Sequence, residues 1–184
     1  TVKLRGACIH HDNGIIGAET FPETEWYRCK RLKEAGFNAL RSSHHPISRA
    51  MLDACDRLGM LVMDELTDVW NRHKNTCDDA DIFQEEAEQW IAHMTAKDYN
   101  HPSVVIYSIG NEIQEAGTKQ GAQINRFLCN KIHSLDSTRY TTNALNGLNC
   151  AGKRLKVIMN DVIAKFGMDT SSRGSGEGSN ALNS

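Results

Sequence analysis

The sequence predicts an α/β protein in which parallel strands alternate with covering helices. Short apolar runs alternate with longer amphipathic stretches along the whole chain, which is the pattern of repeated βα units. The amphipathic stretches repeat apolar residues at helical spacing, and several of them end at a glycine. With 184 residues, 40% of them hydrophobic and 24% charged, the chain has ordinary globular composition and enough length for one sizeable core.

The first half of the chain is expected to hold three strands and two helices. The strands are residues 4–9, 37–41 and 60–64. The third strand is a continuous apolar run of the kind buried in parallel sheets. A helix over residues 23–35 ends at Gly36, and a second helix starts after the capping residue Ser48 and ends at Gly59. Their apolar faces are Trp26, Cys29 and Leu32 in the first helix and Met51, Leu52, Cys55 and Leu58 in the second.

The second half of the chain begins with a loop from residue 65 to about residue 79 and continues the alternation. A long helix carries Phe83, Ala87, Trp90, Ile91 and Met94 on one side and is broken by Asn100-His101-Pro102. The remaining elements are strands at residues 104–109 and 140–144 and helices at residues 119–135 and 155–166. Residues 167–184 are rich in Gly, Ser and Asn and are expected to be flexible, which leaves residues 1–166 as the folded domain.

Two architectures fit this alternation, an open doubly wound sheet and a closed barrel. The first strand is followed by His10-His11-Asp12-Asn13-Gly14, which is not a glycine-rich phosphate turn and disfavours a nucleotide-binding open sheet. The strand starts are about 34 residues apart, so eight units would need roughly 270 residues, close to the usual barrel length of about 250. The sequence therefore predicts a (β/α)8 barrel of which about five units are present, as an internal piece of a longer protein.

Polar and ionisable residues follow every predicted strand. In strand order these residues are His10, His11 and Asp12; Arg41, Ser42, Ser43, His44 and His45; Asp64, Glu65 and Asp68; Asn111 and Glu112; and Asn143 and Asn146. The carboxyl ends of barrel strands meet at one face, where barrel enzymes carry their active sites. Polar residues at the end of one strand could arise by chance, but polar residues at the ends of all five predict a functional pocket.

The segment from residue 100 to residue 112 carries the strongest signal. A hydrophobic strand delivers Asn111 and Glu112 to the mouth of the predicted barrel. Partial desolvation there raises the pKa of a carboxylic acid until it can donate a proton near neutral pH. An adjacent amide can bind a sugar 2-hydroxyl, an interaction that strengthens in the transition state. The dipeptide alone is equally compatible with the start of a loop or a helix cap.

Four ordered motifs give the chain a resemblance to glycoside hydrolase family 2, which contains β-galactosidases, β-glucuronidases and β-mannosidases. The motifs are Leu4-Arg5-Gly6-Ala7-Cys8-Ile9-His10-His11-Asp12, Asn38-Ala39-Leu40-Arg41-Ser42-Ser43-His44-His45-Pro46, Val62-Met63-Asp64-Glu65, and the segment that ends in Asn111-Glu112. The last of them resembles the acid/base signature of the family. The resemblance spans roughly residues 4 to 150 and implies a retaining mechanism through a covalent glycosyl-enzyme.

The resemblance also implies roles for individual residues. Glu112 would protonate the leaving oxygen and then deprotonate the attacking water, and Asn111 would hold the sugar 2-hydroxyl. Arg41 would support the nucleophile carboxylate, while His10 and His44 would contact the sugar or the charged transition state. Three weaker candidates for pocket lining are Asp64, Glu65 and Trp70. Only one of the neighbours Asp64 and Glu65 can point inward if the strand continues.

The nucleophile of the family lies on a late strand, near the seventh, and no remaining acid of this chain sits in a matching motif. We therefore expect the isolated chain to be inactive. Some β-galactosidases of the family bind magnesium through a glutamate and a histidine after the third strand. The corresponding stretch here, Leu66-Thr67-Asp68-Val69-Trp70, lacks that pair, so neither a metal site nor a cofactor is expected.

Two other functions are alternatives to that of a glycosidase. Eight histidines and the pairs His10-His11 and His44-His45 suggest a metal-dependent hydrolase barrel. Such sites need two histidines on the same side of a strand, whereas adjacent ones diverge. The chain could instead be a non-catalytic carbohydrate-binding fragment. Among substrates a β-galactoside is expected first, because the segments around His10 and Asp64 resemble the galactosidase branch, with β-glucuronides and β-mannosides as alternatives.

The net charge and the cysteines limit the classes of partner and the cellular compartment that the sequence predicts. The net charge of −2 and the absence of a long apolar run predict neither nucleic-acid nor membrane binding. Six scattered cysteines without a Cys-x-x-Cys pair are expected to be reduced, with Cys29, Cys55 and Cys129 buried, in a cytoplasmic protein. Five strands leave sheet edges uncovered, so self-association is expected.

Overall fold

A five-stranded parallel sheet forms the centre of the molecule, in a computed structural model that describes residues 1–151 and 154–167. The strands are β1 (Gly6–His10), β2 (Ala39–Ser43), β3 (Leu61–Glu65), β4 (Val104–Asn111) and β5 (Tyr140–Ala144). Their spatial order is the same as their order in the sequence. A doubly wound sheet reverses its strand order at a switch point, and a barrel does not. The predicted alternating α/β architecture is confirmed, and the strand order is that of a barrel segment.

The helices follow the predicted alternation. They are α1 (Pro22–Glu34), α2 (Arg49–Leu58), α3 (Phe83–Asp98), α4 (Lys119–Leu135), α5 (Gly147–Ala151) and α6 (Leu155–Phe166), with short 3₁₀ turns at Gly14–Ile16, Asp79–Asp81 and Gln114–Gly117. Local chemistry sets the ends of α2. The Ser48 hydroxyl accepts a hydrogen bond from the Met51 N–H at 3.1 Å, and Gly59 ends the helix in the left-handed conformation at φ 67°. Both ends agree with the sequence prediction.

Three strands extend further into polar sequence than their apolar runs indicated. β2 continues to Ser43, β3 to Glu65 and β4 to Asn111. Parallel pairing persists there, since His10 is in register with Ser43 and Glu65 with Ser108. Runs of apolar residues alone place the ends of these strands too early, because the last residues of each strand face a polar site instead of the core.

The hydrophobic core lies between the sheet and its helices. Leu40, Val62 and Tyr107 project from the strands towards α2 and α3, where Met51 and Ile91 are fully buried. On the opposite face of the sheet, Cys8 is exposed and Met63 and Ile106 are half-buried. Apolar burial therefore holds the helices to one face, while the other face corresponds to the interior of a barrel.

The cysteine prediction is confirmed in part. All six thiols are free. Cys29 on α1 and Cys55 on α2 are fully buried, with their sulfurs 3.7 Å apart, whereas Cys129 is only half-buried. Cys129 lies on α4, where its thiol contacts the hydroxyl of Thr141 at 3.3 Å. Cys29 and Cys55 thus pack as small apolar side chains between α1 and α2.

The chain divides into two compact units, Thr1–Cys150 and a second unit that starts at Ala151. In the second unit, α6 ends at Gly167, which adopts the left-handed conformation at φ 58°. The segment predicted to be flexible, residues 167–184, lies outside the described residues except for Gly167. None of the described helices combines the length and the apolar character that crossing a bilayer requires.

Candidate active site

A group of polar side chains gathers at the carboxyl ends of β2, β3 and β4, and we call it the Glu65 cluster: Arg41, His44, Glu65, Ser108 and Asn111. Glu65 is fully buried at its centre. Its carboxylate accepts hydrogen bonds from Arg41 Nε at 2.9 Å and Nη2 at 2.8 Å, and from the Ser108 hydroxyl at 2.6 Å. His44 Nδ1 lies 2.8 Å from the same carboxylate. The carboxylate thus ties three strand ends together, since its partners come from β2, β4 and the segment after β2.

The Asn111 amide is held in one orientation by two charged neighbours. Its Oδ1 accepts a hydrogen bond from Arg41 Nη2 at 2.9 Å, and its Nδ2 donates to Asp68 Oδ1 at 2.8 Å. A flipped amide would turn N–H groups towards the guanidinium and oxygen towards the carboxylate, so the network selects this assignment. The second N–H and the second oxygen lone pair of this amide provide capacity for a ligand hydroxyl.

Glu112 follows directly at the end of β4. Its backbone N–H donates to the Ala144 carbonyl at 2.6 Å, and its φ of 44° is in the left-handed region. Its side chain is exposed, so the partial desolvation suggested by the sequence is not found in this chain. Glu112 lies one strand from the edge of the sheet, where few side chains of the described residues cover it.

The histidine pairs separate in the way expected for neighbours on a strand. His10 and His44 meet edge to face, with ring centroids 5.3 Å apart, which joins β1 to the Glu65 cluster. His11 instead lies near His45, and burial together with this second imidazole lowers the pKa of His11 below its usual value. The two members of each pair are therefore divided between different surroundings.

The described part of the chain offers metal-ligand spacing at one group of three donors, Asp53, Asp56 and His101. This group lies before β4, at the amino end of the sheet and away from the strand exits. Asp56 already accepts hydrogen bonds there from the Ser103 N–H at 2.9 Å and pairs with His101 Nδ1 at 2.7 Å. The histidine pairs at the strand exits thus supply no three-ligand group among the residues described.

Two of the sequence-predicted lining residues lie outside the cluster. The Asp64 carboxylate points to the helix side of the sheet, where it accepts from Lys97 Nζ at 2.9 Å and from the Ile47 N–H at 2.9 Å. Trp70 is fully buried, and its Nε1 donates to the Ile109 carbonyl at 3.0 Å. Strand alternation directs Asp64 away from the site once Glu65 faces inward, and the Trp70 ring is enclosed in the core against Phe83.

Ser108, Asp68 and Lys74 belong to the site but were not among the predicted ligands. Ser108 and Asn111 are three positions apart, which simple alternation would place on opposite faces of β4. The register between β4 and β5 shifts between these two residues, and this irregularity directs both side chains to the cluster. Ser108 lies opposite Glu65 in the strand pairing, and no local sequence pattern indicates this register.

The charges of the site are paired. Burial disfavours the Arg41 cation, but the hydrogen bonds to Glu65, the charge of Glu65 and the nearby Cys8 together raise the pKa of Arg41 above its ordinary value. Burial likewise opposes ionisation of Asp68, yet hydrogen bonds from Lys74 and Asn111 hold the pKa of Asp68 below its usual range. Arg41 and Asp68 are thus held in their charged forms at neutral pH, whereas Glu112 is an exposed residue directly after β4.

A cavity of about 400 Å³ lies elsewhere, between the exit of β3 and α3. Its walls include His45, Trp90, His93 and Lys97, and no residue of the Glu65 cluster lines it. The candidate site lies outside this cavity, at the carboxyl ends of β2, β3 and β4.

Comparison with known proteins supplies the family. The model of the glycosyl hydrolases family 2, TIM barrel domain, matches residues 1–173. The chain is 42% identical over 113 residues to the β-galactosidase BoGH2A of Bacteroides ovatus, covering 61% of this chain and 13% of that protein. It is 30% identical over 148 residues to a β-glucuronidase of Bacteroides fragilis, covering 79% of this chain and 21% of that protein. The chain thus spans about a fifth or less of these relatives.

The fold agrees with solved structures of the same kind. A glycosyl hydrolase family 2 member from Bacteroides cellulosilyticus superimposes with a TM-score of 0.78 at 44% identity, over 82% of this chain and 20% of that chain. A β-galacturonidase from Eisenbergiella tayi, bound to galacturonate, superimposes with a TM-score of 0.69 at 27% identity. The parallel sheet with sequential strand order, the polar strand exits and the match over residues 1–173 lead to one assignment: this chain belongs to glycosyl hydrolase family 2 and carries part of its TIM barrel domain.

Proposed function

We propose that this site takes part in hydrolysis of β-glycosides with retention of configuration, with Glu112 as acid/base and Asn111 as ligand of the sugar 2-hydroxyl. The observation that carries the proposal is that β4 brings Asn111 into the Glu65 cluster and that Glu112 follows directly at the end of the same strand. Arg41 and Asp68 orient the Asn111 amide there through one hydrogen bond each, which leaves a second N–H and a second oxygen lone pair for a sugar hydroxyl.

Glu112 acts twice in this scheme. As a carboxylic acid it gives its proton to the glycosidic oxygen while a second carboxylate attacks the anomeric carbon and the carbon–oxygen bond breaks. As a carboxylate it then takes a proton from water, whose oxygen attacks the same carbon and releases the second carboxylate. An exposed side chain beside the cluster suits both steps, because it can reach a leaving group and, later, a water molecule.

The second carboxylate must stand about 5 to 5.5 Å from Glu112 for retention. Glu65 is unsuited to this role because it is fully buried and each of its oxygens already accepts at least two hydrogen bonds. We place the nucleophile in a segment that this chain does not contain. Arg41 can support it, since among the described residues Nη1 contacts only the Cys8 sulfur, at 3.7 Å.

A β-galactoside is the substrate we propose first. The 42% identity to a β-galactosidase supports it. The 30% identity to a β-glucuronidase over a longer stretch supports a glucuronide as the second candidate, and a β-mannoside is the third. The 4-nitrophenyl β-galactoside, β-glucuronide and β-mannoside, assayed in parallel on a full-length enzyme that carries this segment, separate the three by kcat/KM.

The acid/base role is tested by Glu112→Gln in that full-length enzyme. We expect kcat/KM for a phenyl glycoside to fall by about 10²- to 10⁴-fold, the usual contribution of general acid catalysis. Glu85→Gln, which makes the same change at an exposed position on α3, should leave the rate unchanged. Equal rates for the two variants would contradict the role of Glu112.

The 184-residue chain itself is proposed to be inactive, because Glu112 lacks its partner carboxylate there. Purified chain should release no nitrophenol from any of the three glycosides. Hydrolysis that disappears on Glu112→Gln would refute this statement. Calorimetric titration with galactose examines the alternative of a carbohydrate-binding fragment, which requires measurable binding in the absence of turnover.

A further inference from the structure

The peptide group between Asn111 and Glu112 is held at both ends. Its carbonyl oxygen, on Asn111, accepts a hydrogen bond from Lys74 Nζ at 2.6 Å. Its N–H, on Glu112, donates to the Ala144 carbonyl at 2.6 Å. A peptide group is planar, so two contacts at opposite ends determine how the whole unit is rotated, and with it the direction in which the Glu112 Cα leaves β4.

Glu112 needs such support because its backbone conformation is unfavourable. Among the described residues it is the one non-glycine residue with a positive φ, at 44°. A conformation of this kind is unfavourable for a residue with a Cβ and persists only where the surroundings determine it. Relaxation to an ordinary negative φ would swing the side chain of Glu112 away from its present direction.

Lys74 is itself held before it reaches this peptide. Its backbone N–H donates to Asp78 at 2.7 Å, and the Asn75 N–H donates to the same carboxylate oxygen at 2.9 Å. Its Nζ also contacts Asp68 Oδ1 at 2.7 Å, and its side chain is only 17% exposed. Asp68 in turn accepts from the Asn111 amide. The loop after β3 therefore presents a fixed, charge-paired ammonium group to the end of β4.

We infer that Lys74 is a positioning residue for the acid/base: it holds the Asn111–Glu112 peptide so that the Glu112 carboxyl is directed at the leaving-group oxygen. This inference rests on the proposed function of Glu112. Lys74 contributes through the backbone of the residue before Glu112 and does not itself transfer a proton. Its removal should therefore impair the step that requires a well-placed acid and spare steps that do not.

Leaving-group dependence provides the test, on a full-length enzyme that carries this segment. A phenolate leaving group needs protonation, whereas 2,4-dinitrophenolate departs without it, and kcat/KM reports the step in which the leaving group departs. For Lys74→Met we expect kcat/KM of the phenyl glycoside to fall by about 10- to 100-fold, the effect of misplacing a reacting group by an ångström or less. The value for the dinitrophenyl glycoside should change by less than about twofold.

Lys33→Met is the matched control. Lys33 Nζ also donates to a backbone carbonyl, that of Gly59, at 3.0 Å, but at the end of α2 and outside the site. This variant should leave both substrates unaffected. Lys74→Gln, which keeps a polar side chain that is too short to reach the Asn111 carbonyl, guards against a folding defect in Lys74→Met and should show the same selective loss.

Each outcome is decisive. Equal loss on both glycosides, or no loss on either, in the folded Lys74 variants would overturn the inference, because a purely structural lysine makes no distinction between leaving groups. Failure of the underlying function looks different. In that case Glu112→Gln itself would show no preference between phenyl and dinitrophenyl glycosides, whatever the Lys74 variants do.

Discussion

Arg41→Met removes the principal countercharge of the buried Glu65 carboxylate. Arg41 contacts Glu65 through Nε at 2.9 Å and through Nη2 at 2.5 and 2.8 Å, and it also donates to Asn111 at 2.9 Å. Methionine matches the aliphatic part of the arginine side chain but offers no donor. The carboxylate would then rely on Ser108 and His44 alone.

The expected loss of stability is about 3 kcal/mol. Removing one partner of a buried ion pair costs about 3–5 kcal/mol, because an uncompensated charge is left in the interior. Glu65 is fully buried, while Arg41 is 21% exposed and two other donors remain, so the lower end of that range applies.

Urea denaturation of the 184-residue chain, followed by tryptophan fluorescence to which the buried Trp70 contributes, measures the free energy of unfolding. Arg31→Met is the matched control, because Arg31 pairs with Glu34 at 2.9 Å with both side chains largely exposed. Such a surface pair is worth about 0.2–1 kcal/mol. Glu65→Gln, added to Arg41→Met, should recover at least about 1 kcal/mol because the double variant buries no unpaired charge.

If Arg41→Met lowers the free energy of unfolding no more than Arg31→Met does, the reasoning is refuted. It would mean that Glu65 is neutral in the native protein or that solvent reaches it despite its burial. Failure of Glu65→Gln to recover stability would likewise show that packing, and not the buried charge, accounts for the loss.

The remaining two predictions concern a buried carboxylate and the sheet edges. Burial, with the neighbouring Asp64 charge, raises the pKa of Asp98 to about 8 although Lys97 contacts both carboxylates. Folding therefore binds a proton between the unfolded pKa, about 4, and about 8, and the stability that this contributes is lost as pH rises through that window. Asp98→Asn should flatten this decline in urea titrations at pH 4.5 to 8.5, and an unchanged slope would contradict the assignment. The edge strands β1 and β5 should make the chain self-associate, Tyr140 being 81% exposed; light scattering that finds a monomer at all concentrations would oppose this.

The order of strands and helices could be predicted from the sequence because its causes are local. Apolar periodicity, the Ser48 cap and the stop at Gly59 act within a few residues of the chain. The same holds for the polar strand exits, since parallel strands joined by helices must bring their carboxyl ends to one face. The position of Asn111 and Glu112 after an apolar strand is enough to predict their place at this face.

The alternating fold, and the set of residues that lie at its carboxyl face, therefore follow from local patterns in the sequence. Tertiary structure alone decided which of these residues meet. The shift in register within β4 brings Ser108 to the same side as Asn111, and Lys74 reaches the Asn111 carbonyl from a loop 37 residues earlier. Such contacts depend on strand register and loop path, which are set by the summed packing of distant segments and leave no local pattern in the chain.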